Sequence, residues 1–112
     1  MATFVNQPVM VFKHRYVRLP FYVEGVSNLE NCVAEFALGE GPPGAILLYK
    51  TSDAITPSIT IDGVVVNVDI MPEDLVSVAA DKYYYEMVIT DTNGQPIQSC
   101  IGVADVRDVL IT

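Results

Sequence analysis

Turn-forming residues recur along this chain, and no segment between them reads as a helix long enough for a βαβ crossover. Pro8, Pro20, the stretch from Gly25 to Asn31, Gly39 to Gly44, Pro57, Asp62-Gly63, Pro72 and Asp91 to Gly94 punctuate it, at intervals of roughly eight to twelve residues. A parallel βαβ crossover needs a dozen or more residues with a helix among them, so the α/β architectures are excluded. What remains is a set of short strands joined by tight turns, packed as an antiparallel sandwich or barrel.

The segments between the turns read as strands. Val9 to Phe12 and Tyr16 to Val23 are extended, and Pro20 fits there only on a strand edge or at a bulge. From Asn31 to Leu38, Cys32, Ala34, Phe36 and Leu38 fall on one face and Val33, Glu35 and Ala37 on the other, the alternation of a half-buried strand. Ala45 to Lys50 is an apolar run of strand length. Ser58 to Ile61 and Val64 to Ile70 flank Asp62-Gly63, a dipeptide suited to a type I′ hairpin turn. Pro72-Glu73-Asp74-Leu75 has proline at a first helical position and acids near the positive end, so a single helical turn is expected there, crossing between sheets. Tyr83 to Thr90 alternates cleanly and should be a central strand. Asp91 to Gly94 then turns the chain into Pro96 to Val103, and a last strand is expected from about Val106 to Ile111.

At 112 residues the chain has the size of one domain, which buries about two-thirds of the surface it exposes when unfolded. Hydrophobic residues are 51% and charged ones 18%, far from the composition of disordered chains. The division expected is an extended N-terminal arm or first strand over 1–15 and a β-sandwich domain over 16–112. Net charge is −8, which repels phosphate-rich partners and argues against nucleic acid. That charge is uneven: residues 1–23 carry Lys13, Arg15 and Arg18 and no acid. This basic segment either docks on an acidic neighbour or neutralises acids of its own domain. No apolar run approaches the ~18 residues of a membrane span, and the start lacks the pattern of a signal peptide, so the protein is expected to be made and kept in a cytoplasm or to leave it by assembly or lysis. Cys32 and Cys100 could bridge two sheets, but a reducing compartment favours two buried thiols.

Little in the sequence suits chemistry. His14, the one histidine, lies between Lys13 and Arg15, and no nucleophile sits in a Gly-x-Ser-x-Gly elbow, so no catalytic residue is expected. One histidine and two distant cysteines cannot supply a zinc cluster. Asp91-x-Asn93-Gly94 lacks the further acids of a calcium loop and reads as a hairpin turn. The two prolines in Gly-Glu-Gly-Pro-Pro-Gly at 39–44 remove amide donors from any phosphate cradle, leaving a surface loop. No metal, cofactor or small-molecule substrate is therefore expected. In the tyrosine run, Tyr83 and Tyr85 face inward, where one hydroxyl must find a backbone or loop partner in the manner of a tyrosine corner, and Met87 stands where an antibody domain has cysteine. Tyr84 faces outward beside Val88 and is a candidate anchor for a protein partner.

From Asn31 onward the chain resembles a sandwich domain of tailed bacteriophages, similar to the N-terminal domain of phage baseplate upper proteins. The likeness is carried by Cys32 to Leu38, by Val64 to Ile70 with Met71-Pro72-Glu73-Asp74-Leu75, by Asp81 to Met87, by Val88 to Gly94, and by Gly102-Val103. The resemblance implies an immunoglobulin-like antiparallel β-sandwich of seven to nine strands with a single short helical turn. It further implies a non-enzymatic virion structural protein, made in host cytoplasm and assembling with itself and with other virion proteins. Because the sequence stops at Thr112, an adaptor, collar or decoration subunit is expected rather than a fibre. The interface residues expected are Lys13, Arg15, Arg18, Val33, Tyr84 and Val88. The alternative is a carbohydrate-binding module, which would require Tyr16, Tyr22, Tyr49 and Tyr84 to share one concave face.

Overall fold

The structure, a computed structural model, describes residues 7–26, 28–41 and 44–111. Eight strands follow one another: β1 (Val9–Phe12), β2 (Val17–Tyr22), β3 (Val33–Gly39), β4 (Ile46–Thr51), β5 (Ile59–Asp62), β6 (Val65–Ile70), β7 (Asp81–Thr90) and β8 (Pro96–Arg107). They form a larger sheet in the order β1-β8-β7-β3-β4 and a smaller one in the order β2-β6-β5. Immunoglobulin domains of variable type place their G, F, C and C′ strands in one sheet and B, E and D in the other. Here β8, β7, β3 and β4 make the first set and β2, β6 and β5 the second. The domain is an immunoglobulin-like β-sandwich.

Four local expectations are corrected. The sandwich is not wholly antiparallel, because β1 runs parallel to β8, with Val9 beside Ala104 and Phe12 beside Arg107. β1 and β2 lie in different sheets, so the turn between them cannot close a hairpin, and β1 fills the edge beside the last strand instead. Between β6 and β7 there is no helical turn. Successive tight turns are closed by Asp74 N donating to Met71 O and Val78 N to Leu75 O, while the Asp74 carboxylate accepts from Met71 N at 2.7 Å, and the segment does cross between sheets. The two C-terminal strands expected are one continuous β8, which ends at Arg107. Finally, β5 and β6 pair as far as Asp62 with Val65, so the two hairpin loop residues are Gly63 and Val64. Only Gly63 has a positive φ, 63°, the pattern of a type II′ turn rather than type I′.

The core forms where alternation in the two sheets meets. β3 alternates half-buried and buried residues, and Ala34, Phe36 and Leu38 point inward against Phe21 of β2 and Val66, Val68 and Ile70 of β6. The rings of Phe21, Phe36 and Tyr85 gather with centroids 5.7 to 6.3 Å apart. Around them lies Met87, so apolar packing occupies the place that a tryptophan and a disulfide hold in antibody domains. Val9 and Val11 are buried in the same core, which makes residues 9–12 an integral first strand. Of the rest of the expected arm, 13–15 form the turn into β2, and 1–6 lie outside the described residues. Cys100 is buried but Cys32 is half-exposed, and the two are not joined. Pro20 sits on β2, an edge strand of the smaller sheet, as its missing amide requires.

Candidate protein interface

The outward face of the larger sheet is built by register. Tyr84 of β7 lies beside Val103 of β8 on one side and Gly39 of β3 on the other, and Gly39 in turn lies beside Ile46 of β4. One row further along, Ile101, Glu86, Ala37 and Tyr49 line up across the same four strands. Ile46 is 66% exposed, Ile101 55%, Tyr84 52%, Tyr49 51% and Val103 39%. Isolated exposed apolar residues are ordinary, but a contiguous set on one sheet face marks an interaction surface.

The loop joining β3 to β4 walls one end of this face. Gly41 has φ of 95° and lies so close to the Tyr84 ring that a β-carbon there would sit 2.9 Å from Cδ2. Gly44 N donates to Gly41 O and closes the loop. Between the loop and the sheet is a depression of about 300 Å³, lined in part by Ile46, Tyr84, Glu86 and Ile101. Gly41 is therefore needed for close approach to an aromatic ring, and the loop is not merely a connector.

Charge is sparse on this face. Glu35, Glu86 and Asp105 stand against Lys82 and Arg107, leaving −1 of the chain's −8. Glu35 accepts a 2.5 Å hydrogen bond from the Tyr49 hydroxyl, which pushes that phenol's titration upward, with burial and the carboxylate's charge adding to it. Asp105 pairs with Arg107 at 3.0 Å. Lys82 and Glu86 form no ion pair among the described residues.

The residues expected at an interface do not form one surface. Tyr84, Val88 and Val33 share the outer face of the larger sheet, but Val88 and Val33 are half-buried and lie beside Glu35 and Thr90, away from the apolar rows. Arg18 is on the smaller sheet, where its Nε and Nη2 donate to the Asp69 carboxylate at 2.8 and 3.1 Å and the Tyr16 hydroxyl adds a third bond at 2.8 Å. The Arg18 hydrogen bonds are the chief cause holding the Asp69 carboxyl below its ordinary range, and they raise the guanidinium in return. The Arg15 guanidinium donates to the carbonyls of His14 and Ile111. Lys13 lies in the same β1–β2 turn, its amide donating to Arg107 O. Of the expected basic set, Arg18 is thus committed to an acid of its own domain.

Ile46, Ile101 and Val103 are not among the expected residues, and Tyr49 is expected only at a carbohydrate-binding face. Their signal lies in β8, where the inward positions Cys100, Gly102 and Ala104 are small and the outward positions Ile101 and Val103 are large. Large residues facing away from a core filled by Tyr85 and Met87 have no packing reason within the chain. The tyrosines required for a shared carbohydrate-binding face are divided: Tyr49 and Tyr84 belong to the larger sheet, Tyr22 to the smaller, and Tyr16 bonds to Asp69 there. Asp91 serves its turn, its carboxylate accepting from the amides of Asn93 and Gln95. Burial and, secondarily, Asp91 push the Cys32 thiol up, away from the reactive thiolate. Among the described residues no group of metal-ligating side chains comes together, and no helix is long and apolar enough to cross a membrane.

No family model matches the chain, and no curated protein matches it. Solved structures do resemble it. The extracellular domain of the voltage-gated sodium channel beta4 subunit, described as forming parallel homodimers, is 12% identical with a TM-score of 0.49, over 96% of this chain and 89% of that one. A structure from work on cell-adhesive interactions of sodium channel beta subunits has the same identity and score, over 93% and 92%. Murine CRIg is 11% identical with a TM-score of 0.43, over 89% and 92%. The assignment of the fold rests on the strand order given above.

Proposed function

We propose that this domain is a non-catalytic assembly module that associates with copies of itself through the outer face of its larger sheet. The observation that carries this reading is the contiguous exposed set Ile46, Tyr49, Tyr84, Ile101 and Val103 on a face with little charge. Burial of such side chains gains roughly 25 cal/mol per Å² of apolar surface, which the chain alone leaves unused. The resemblance to baseplate domains supports a place for such a module among virion structural proteins, as an adaptor or decoration subunit. Light scattering on the purified domain tests the reading. A defined oligomer whose fraction grows with concentration is expected, and a monomer that persists at about millimolar concentration removes self-assembly.

A further inference from the structure

Along β7 the outward residues are Lys82, Tyr84 and Glu86: a cation, an aromatic ring and an anion at successive positions on one face. The uncharged row Val103, Tyr84, Gly39 and Ile46 crosses the strands between the two charges. We infer that the partner is a second copy packed face to face about a two-fold axis along this row, with the β7 strands antiparallel.

This inference rests on the assembly reading and gives it a geometry. An axis lying in the interface along the row sets Tyr84 against Tyr84 of the second copy and Val103 against Val103, while each Lys82 meets the other copy's Glu86. A two-fold axis along the strands instead would stack Lys82 on Lys82 and Glu86 on Glu86, and like charges brought together at an interface are strongly disfavoured. A two-fold interface must be its own complement, and this charge order satisfies that condition only when the strands oppose. Neither charge is already committed, since Lys82 and Glu86 make no ion pair among the described residues.

The extent is adequate. Five strands spaced about 4.8 Å apart and a ten-residue β7 rising about 3.3 Å per residue bound the face at roughly 19 by 33 Å, or about 600 Å², the low end of the range per partner for a standard interface. The overall charge of −8 does not forbid it, because most of the acids sit in loops and on the other sheet.

Charge reversal tests the geometry. Lys82→Glu sets four carboxylates against one another across the axis, and Glu86→Lys sets four ammonium groups. Each single variant is expected to raise the dimer dissociation constant at least tenfold by sedimentation equilibrium. The Lys82→Glu/Glu86→Lys double variant is expected to restore it to within about threefold of the parent. Both side chains are exposed, so unchanged circular dichroism and melting are expected in all three variants. An oligomeric parent indifferent to the single reversals, or a double variant as weak as the singles, overturns this arrangement and leaves the assembly reading standing. A parent that is monomeric throughout overturns both.

Discussion

Asp69 accepts from three donors, Nε and Nη2 of Arg18 and the hydroxyl of Tyr16, on the outer surface of the smaller sheet. Its carboxyl is held below the ordinary range chiefly by the Arg18 hydrogen bonds, against a smaller opposing effect of burial. A carboxylate whose folded pKa is depressed contributes stability that is fully present above its unfolded value and lost as pH falls through the folded one. The gap in melting temperature between the parent and Asp69→Asn is therefore expected to be widest near neutral pH and to close from about pH 5 to about pH 2. A gap independent of pH, followed by calorimetry, would show that the carboxylate's charge does not matter. At this scale the sequence was informative about roles inside the core and less so about partners. That one of the inward tyrosine hydroxyls must find a backbone or loop partner follows from chemistry alone, and both find backbone carbonyls: Tyr83 donates to Ala79 O at 2.7 Å and Tyr85 to Gln7 O. That Arg18 faces Asp69, fifty-one positions away, needed the pairing of β2 with β6.

Among the elements, β4 is the exposed edge of the larger sheet, and an unpaired edge bearing Ile46, Leu47 and Tyr49 invites other strands. The structure guards it with a charge that points inward. Lys50, beside the buried Phe36, reaches Asp74 in the β6–β7 connection at 2.6 Å and Ser58 Oγ at 3.4 Å, tying the edge strand to the segment that crosses between sheets. Both side chains of the pair are largely buried, so removing one leaves the other's charge without compensation. Lys50→Met is expected to lower unfolding free energy by about 3 kcal/mol in denaturant titrations and to raise the aggregated fraction on heating. A midpoint and a soluble fraction equal to the parent's would mean that Asp74 is satisfied by Met71 N alone. Most strands were legible because alternation and turn chemistry are local. The parallel pairing of β1 with β8 was not, since it depends on which sheet the chain enters after a turn at 13–16 that sequence cannot orient. The continuity of β8 is legible, since Ala104-Asp105 carries no turn signal that would require a break, and the second strand expected after it has no basis in turn chemistry.

At the scale of the whole molecule, two effects of charge oppose each other in self-association. Each copy carries −8, and two such copies with centres about 25 Å apart repel by roughly 5 kcal/mol at 0.01 M salt and by less than about 1 kcal/mol at 0.15 M. The Lys82 to Glu86 contacts across the proposed interface also weaken with salt, but exposed pairs of this kind contribute only about 0.5 kcal/mol each. Relief of the general repulsion is the larger change by several-fold. Association is thus expected to tighten with salt, the dissociation constant falling roughly a hundredfold between 0.01 and 0.15 M. Sedimentation equilibrium across that range checks the sign. An association that loosened instead would mean that attraction between opposite charges dominates. The weight would then move from the uncharged row around Tyr84 to charge pairs, either Lys82 with Glu86 or Lys13 and Arg15 meeting an acidic surface. The sequence had left that basic-segment docking open beside self-neutralisation. Because Arg18 is held by Asp69 while the apolar row on the larger sheet is uncovered, the physical weight falls on burial, with charge setting the orientation and salt the strength.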